Sequence, residues 1–240
     1  QVRNLDMGIT PDRLTQRMQA LKLLETGFIS EDRGISAREH AKVLDKTLNL
    51  MTSSQMDAFK VASEPENVQE RYGNTNFGRG CLMARRLVEQ GVPFIEVDLG
   101  GWDNHQNIHA TLRDTKLPEL DQAMSALVED LEQRGLLEDT AIIWMGEFSR
   151  TPRINGNAGR DHWARLGTLA FAGGGLPMGQ IIGSADKRNG EPASEPVDPA
   201  MMMGTILHTL FDIGKLRVAR GLTTDLAGFV NGLQPIPSLV

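Results

Sequence analysis

Three short runs, 93–99, 140–145 and 168–172, are dominated by apolar residues, and each stops at glycine: Gly100-Gly101, Gly146 and Gly173-Gly174-Gly175. Their length suits strands better than helices. Helical segments stand before and between them. One covers 77–90 and stops at Gly91. Another covers about 116–134, with Leu120, Met124, Leu127 and Leu131 on one face and Gly135 beyond its end. A fourth short strand is read at 180–182, and Asp198-Pro199 caps a helix running to about Ile213. Strands that alternate with helices and lack polar alternation predict an α/β fold, with a mostly parallel sheet covered on both faces.

The first 76 residues read differently. Thr10-Pro11 is a hydroxyl cap followed by proline at the first helical position, and Leu14, Met18, Leu21 and Leu24 follow at helical spacing up to Gly27. A second helix is predicted over 36–52, striped by Val43, Leu44, Leu48 and Met51, and a short one over 55–61. No strand is predicted before Phe94. The expected organisation is a helical lobe, 1–76, and an α/β domain, 77–240. That agrees with a length of 240 residues and a 40% hydrophobic share, which suffices for a sizeable core.

Composition excludes several classes. The formal charge of −6 and the lack of a Lys/Arg run argue against a nucleic-acid partner, and no apolar run approaches the length of a membrane span. The lone Cys81 excludes an internal disulfide and a cysteine-rich zinc site, and its helical neighbours make it a small buried hydrophobe. His40 is read as a surface residue, His208 as a core histidine, 201–203 as helix core and 173–175 as a turn. The chain opens on Gln1, the expectation for a processed or cut polypeptide.

Chemistry concentrates where the strands end, the usual place for ligands in an α/β sheet. Asp103 and His105 follow the first run, and an extended loop would turn both to one side, where a metal could take them. A turn aspartate beside a solvated histidine is the plainer alternative. Glu147 follows the second run directly, with a surface salt bridge as its alternative. Asp161-His162 again couples a hard oxygen to an imidazole, or else forms a helix cap beside a packed histidine. Together these are donors that Zn²⁺ or Mn²⁺ accepts, in a spacing unlike any compact metal motif. Arg150 and Arg160 lie in the same loops and could hold a tetrahedral anion, or pair structurally with carboxylates.

These loops also carry a resemblance. Arg71-Tyr72-Gly73 with Phe77-Gly78, the stretch Ala84-Arg85-Arg86-Leu87-Val88-Glu89, and Gly101-Trp102-Asp103 with His105 belong to it. So do Leu117-Pro118-Glu119-Leu120-Asp121, Gly146-Glu147-Phe148 with Arg150-Thr151-Pro152, and Gly159-Arg160-Asp161-His162-Trp163. In this order they resemble the bacterial domain-of-unknown-function 1501 proteins over nearly the whole chain. Ser149 stands where that family usually has glycine.

The family is grouped with the alkaline phosphatase and sulfatase superfamily. The resemblance implies a three-layer α/β/α sandwich, not complete within this chain, and a metal-dependent hydrolase of phosphate or sulfate esters. The cofactor would be a divalent metal (Zn²⁺, Mn²⁺ or Ca²⁺), and the location periplasmic or otherwise extracytoplasmic. Asp103, His105, Glu147, Asp161 and His162 would be the metal ligands, and Arg150 would stabilise the oxyanion. Phe148 occupies the place of a ligand histidine. The superfamily's first strand, with its nucleophile, has no counterpart here, so the chain alone is expected to be weakly active or inactive. The rival expectation is a non-catalytic metal- or ligand-binding scaffold.

Overall fold

Capping and spacing set the helices. A computed structural model describes residues 8–30, 35–146 and 148–240. By packing, the chain divides into two units: 1–66 with 86–95, and 67–85 with 96–240. In the first unit, α1 (Pro11–Ser30) packs against α2 (Ile35–Thr52), and two 3₁₀ turns follow, Ser54–Phe59 and Val61–Ser63. Arg86 clasps those turns. Its guanidinium donates to the carbonyls of Ala58 (2.9 Å) and Asp57 (2.6 Å) and pairs with Glu64, over the buried Ala58 and Val61.

In the second unit, residues 67–72 of α3 (Glu66–Tyr72) and 76–85 of α4 (Asn76–Glu89) are tied to a long helix, α6 (Leu117–Gln133). A short helix, α5 (Ile108–Thr111), runs through a π turn (Leu112–Lys116) directly into α6. Of the apolar stripe read from the sequence, Leu120, Leu127 and Leu131 of α6 are buried and Met124 is half-buried, with Ala123 and Ala126 buried beside them. At its centre lies an ionic knot. Asp130 accepts from Tyr72 Oη (2.9 Å) and Arg134 Nε (2.8 Å) and pairs with Arg85 Nε (3.0 Å). Burial pushes the Asp130 carboxyl up, but Arg134, Tyr72 and Arg85 together outweigh it and hold it below the usual value.

The strands are β1 (Ile142–Met145), β2 (Ser149–Arg150), β3 (His162–Trp163) and β4 (Leu169–Ala172). They form two small sheets, β1 with β4 and β2 with β3, both antiparallel. Beyond them lie α7 (Pro199–Leu210), capped as expected by Asp198, then α8 (Ile213–Arg217) and α9 (Thr224–Gly232). The terminal segment packs on α7 through the buried Thr205. Its hydroxyl donates to the Met201 carbonyl and accepts the Ile236 N–H, both at 2.9 Å.

This architecture corrects the fold expectation: among the described residues it is about half helical, with two two-stranded antiparallel sheets, and not a three-layer sandwich around a parallel sheet. The physical reason lies in the connections. Parallel neighbours need a crossover, usually a helix. Residues 146–168, between β1 and β4, hold the β2–β3 hairpin and no helix among the described residues, so β4 returns antiparallel. The run 93–99 forms no strand and joins no ladder. Phe94 is 80% exposed, and Val97 lies against Gly80 of α4, where an added Cβ would come within 2.8 Å of its side chain. The run 180–182 is likewise no strand, with Ile181 fully exposed. Among the described residues no helix is long and apolar enough to cross a membrane.

Candidate metal centre

Two loops, 100–107 and 151–161, build the site. The β2–β3 ladder sets Arg150 opposite His162, so both side chains share a face. The ladder is prolonged past the strands: Thr151 N–H donates to the Asp161 carbonyl (2.8 Å), and Asp161 N–H to Thr151 Oγ1 (3.1 Å). The 151–161 loop then lies along the other one. Asn107 N–H donates to the Asn157 carbonyl (3.1 Å), Ile108 N–H to Ala158 (2.9 Å) and Arg160 N–H to Asn104 (3.2 Å). Gly159 sits directly against the His105 backbone, where a Cβ would stand 1.9 Å from the carbonyl carbon.

This brings Asp103, His105 and His162 together, with one ligating atom of each within 4.8 Å of the others. Asp103 Oδ1 is 3.0 Å from His105 Nε2, 2.9 Å from His162 Nε2 and 2.6 Å from Arg150 Nη1. On its other side, His105 Nδ1 is 2.8 Å from Asp161 Oδ1. The imidazoles of His105 and His162 lie 5.0 Å apart between centroids, and the Phe148 ring lies against His162 at 4.7 Å, tilted by 51°. The hydrogen bond to His162, then that to Arg150, holds the Asp103 carboxyl down at about 2, and His105 and then Asn155 lower Asp161.

Valence makes this arrangement informative. A carboxylate only accepts, and one oxygen has about two lone pairs, whereas three nitrogens converge on Asp103 Oδ1. His105 faces a carboxylate from both nitrogens, but a neutral imidazole has one N–H. Either His105 is an imidazolium, or its Nε2 lone pair meets a cation while Nδ1–H is held by Asp161. The second arrangement is the carboxylate–histidine–metal relay found at many metal centres. Two metal bonds of about 2.1 Å span roughly 3.0–3.4 Å between their donor atoms at ordinary angles. The observed 2.9–3.0 Å pairs are therefore within a few tenths of an ångström of what a divalent ion needs. The donor set fits Zn²⁺ or Mn²⁺. The side chains of Asp103, His105 and His162 are 64%, 43% and 51% exposed, so an ion held here would have open coordination positions.

Other expectations resolve individually. Glu147 lies outside the described residues. Asp161 stands behind His105, bonded to its Nδ1. Arg160 contributes its backbone N–H. His109 lines an open groove of about 920 Å³ with Leu117, Met124 and Trp144. His40 is exposed and Cys81 buried, its thiol pushed up by burial to about 12, which suits a packed hydrophobe and not a nucleophile. Gly173, Gly174 and Gly175 form a turn with positive φ. Sequence reasoning missed Asn155, whose side chain braces the loop; Asn155-Gly156-Asn157 is a turn signature that marks such a role.

Residues 2–222 match the family described as protein of unknown function (DUF1501). The chain belongs to this family. No curated protein and no solved structure matches it. In this DUF1501 member the loops that carry Asp103, His105, Arg150, Asp161 and His162 meet at one place.

Proposed function

We propose that the chain holds a divalent metal between Asp103, His105 and His162, and that the site is built for hydrolysis of phosphate or sulfate esters. The convergence of two imidazole Nε2 atoms and Arg150 on one Asp103 oxygen carries the reading. A bound Zn²⁺ or Mn²⁺ would supply Lewis acidity toward an ester oxygen. Asp161 holds His105 in the tautomer that presents Nε2 to the ion. Arg150 can swing part of its donor fork from Asp103 to an anion beside the ion, where a guanidinium matches a tetrahedral oxyanion. Kinship with alkaline phosphatases and sulfatases, Glu147 as a further ligand and an extracytoplasmic location are parts of the same reading, supported by the motif resemblance.

A second reading, a non-catalytic metal-binding module, is favoured by Phe148. Its ring covers His162 where the resemblance expects a ligand imidazole. The test is calorimetric titration of the chain with Zn²⁺, Mn²⁺ and Ca²⁺, paired with turnover of p-nitrophenyl phosphate and p-nitrophenyl sulfate. Binding that is lost in His105→Ala is expected. Metal-dependent turnover, also lost in that variant, supports the hydrolase; binding without turnover supports the module. A chain that takes up none of the three ions refutes both.

A further inference from the structure

We propose that Asn155 is a positioning residue for this site: through Asp161 and the His105 carbonyl, it aims His105 Nε2 toward Asp103 and His162. The inference rests on the metal reading above. Asn155 uses all four hydrogen-bonding positions of its amide. Oδ1 accepts the N–H groups of Asn157 and Gly159, both at 2.9 Å. Nδ2 donates to the His105 carbonyl (3.1 Å) and to Asp161 Oδ1 (3.2 Å). The first pair closes the 155–159 turn, a task any loop asparagine performs. The second pair reaches across to the other loop and refers both ends of His105 to one planar amide. One N–H fixes the His105 backbone. The other fixes the carboxylate oxygen that holds the His105 ring by Nδ1 at 2.8 Å. A metal ligand whose second nitrogen is held in this way keeps its orientation, and loss of such a brace commonly weakens metal binding by about 10- to 100-fold.

Asn155→Asp separates the two tasks. It keeps the Oδ1 acceptor that closes the turn, removes the two donors and sets a carboxylate against Asp161. Titration of the intact chain with Co²⁺ alone, read by visible ligand-field absorption, tests the proposal. Asn155→Asp and Asn155→Ala should bind Co²⁺ at least tenfold more weakly than the unaltered chain, with an altered absorption band. The metal-free melting temperature of Asn155→Asp should fall somewhat, since two hydrogen bonds are lost and a carboxylate faces Asp161; the altered absorption band separates a positioning role from a merely structural one. Asp161→Asn should weaken binding similarly, and Asn155→Ala combined with Asp161→Asn should be clearly less than additive, because both act through one ring. If both Asn155 variants keep the original affinity and spectrum while His162→Ala loses binding, this proposal alone is overturned. It is overturned equally if Asn155→Asp lowers the metal-free melting temperature but leaves Co²⁺ affinity unchanged. Failure of the unaltered chain to bind Co²⁺ overturns the metal reading and this proposal together.

Discussion

Asp130, only 4% exposed, takes Tyr72, Arg134 and Arg85, the last 2% exposed, as partners. A buried guanidinium that loses its carboxylate costs about 3–5 kcal/mol, because desolvation is no longer offset. Asp130→Asn should lower stability by that order in urea unfolding. The pH dependence has a definite sign. The folded Asp130 carboxyl lies below its unfolded value near 3.9, so its contribution is complete above that value and fades as pH falls through the folded one. The variant should therefore show a shallower loss of stability between about pH 5 and the acid end. An unchanged acid limb would mean that the carboxylate is not what couples this knot to pH. Little of the knot is legible in the sequence: Asp130 and Arg134 are four apart on a helix, but Tyr72 and Arg85 come from other elements.

The β2–β3 hairpin shows what one element adds to the site. Two residue pairs suffice to set Arg150 and His162 side by side, and the 151–161 loop is then laid on 104–108 by backbone bonds. Gly159 is the contact point. With a would-be Cβ 1.9 Å and 2.0 Å from the His105 carbonyl carbon and oxygen, Gly159→Ala must separate the loops. Co²⁺ affinity in this variant should fall more than tenfold, in the range seen when supporting contacts of a metal ligand are lost. Native affinity would show that the loops are not held in contact here. Sequence alone flagged Asp103, His105, Arg150, Asp161 and His162 because strand-end loops carried them. It did not show that Asp103 faces His105 Nε2, His162 and Arg150 together, whereas Asp161 faces His105 Nδ1 and Asn155. Asn155 went unread for a similar reason: its partners lie 50 and 6 residues away.

At the scale of the whole molecule, a metal that binds only the folded chain must stabilise it. With free ion at about a hundredfold over Kd, the gain is about 2.7 kcal/mol. The melting temperature should rise on adding Zn²⁺ and return on chelation, and His162→Ala should abolish the rise. An equal rise in that variant would place the ion elsewhere. The capped or striped helices were legible in the sequence because their hydrogen bonds close within four residues, whereas α3, α8 and α9 were not read. Pro11, Asp198 and the Leu120–Leu131 stripe therefore mark α1, α7 and α6 without reference to anything distant. The apolar runs 140–145 and 168–172 also announced extended chain. A strand's partners, however, lie in another segment, and only tertiary structure decided that β1 pairs β4 antiparallel and that 93–99 joins no ladder. The residue types that can meet a metal are written in the sequence. Which nitrogen of His105 faces Asp103, and which faces Asp161, is decided by bonds across loops some fifty residues apart.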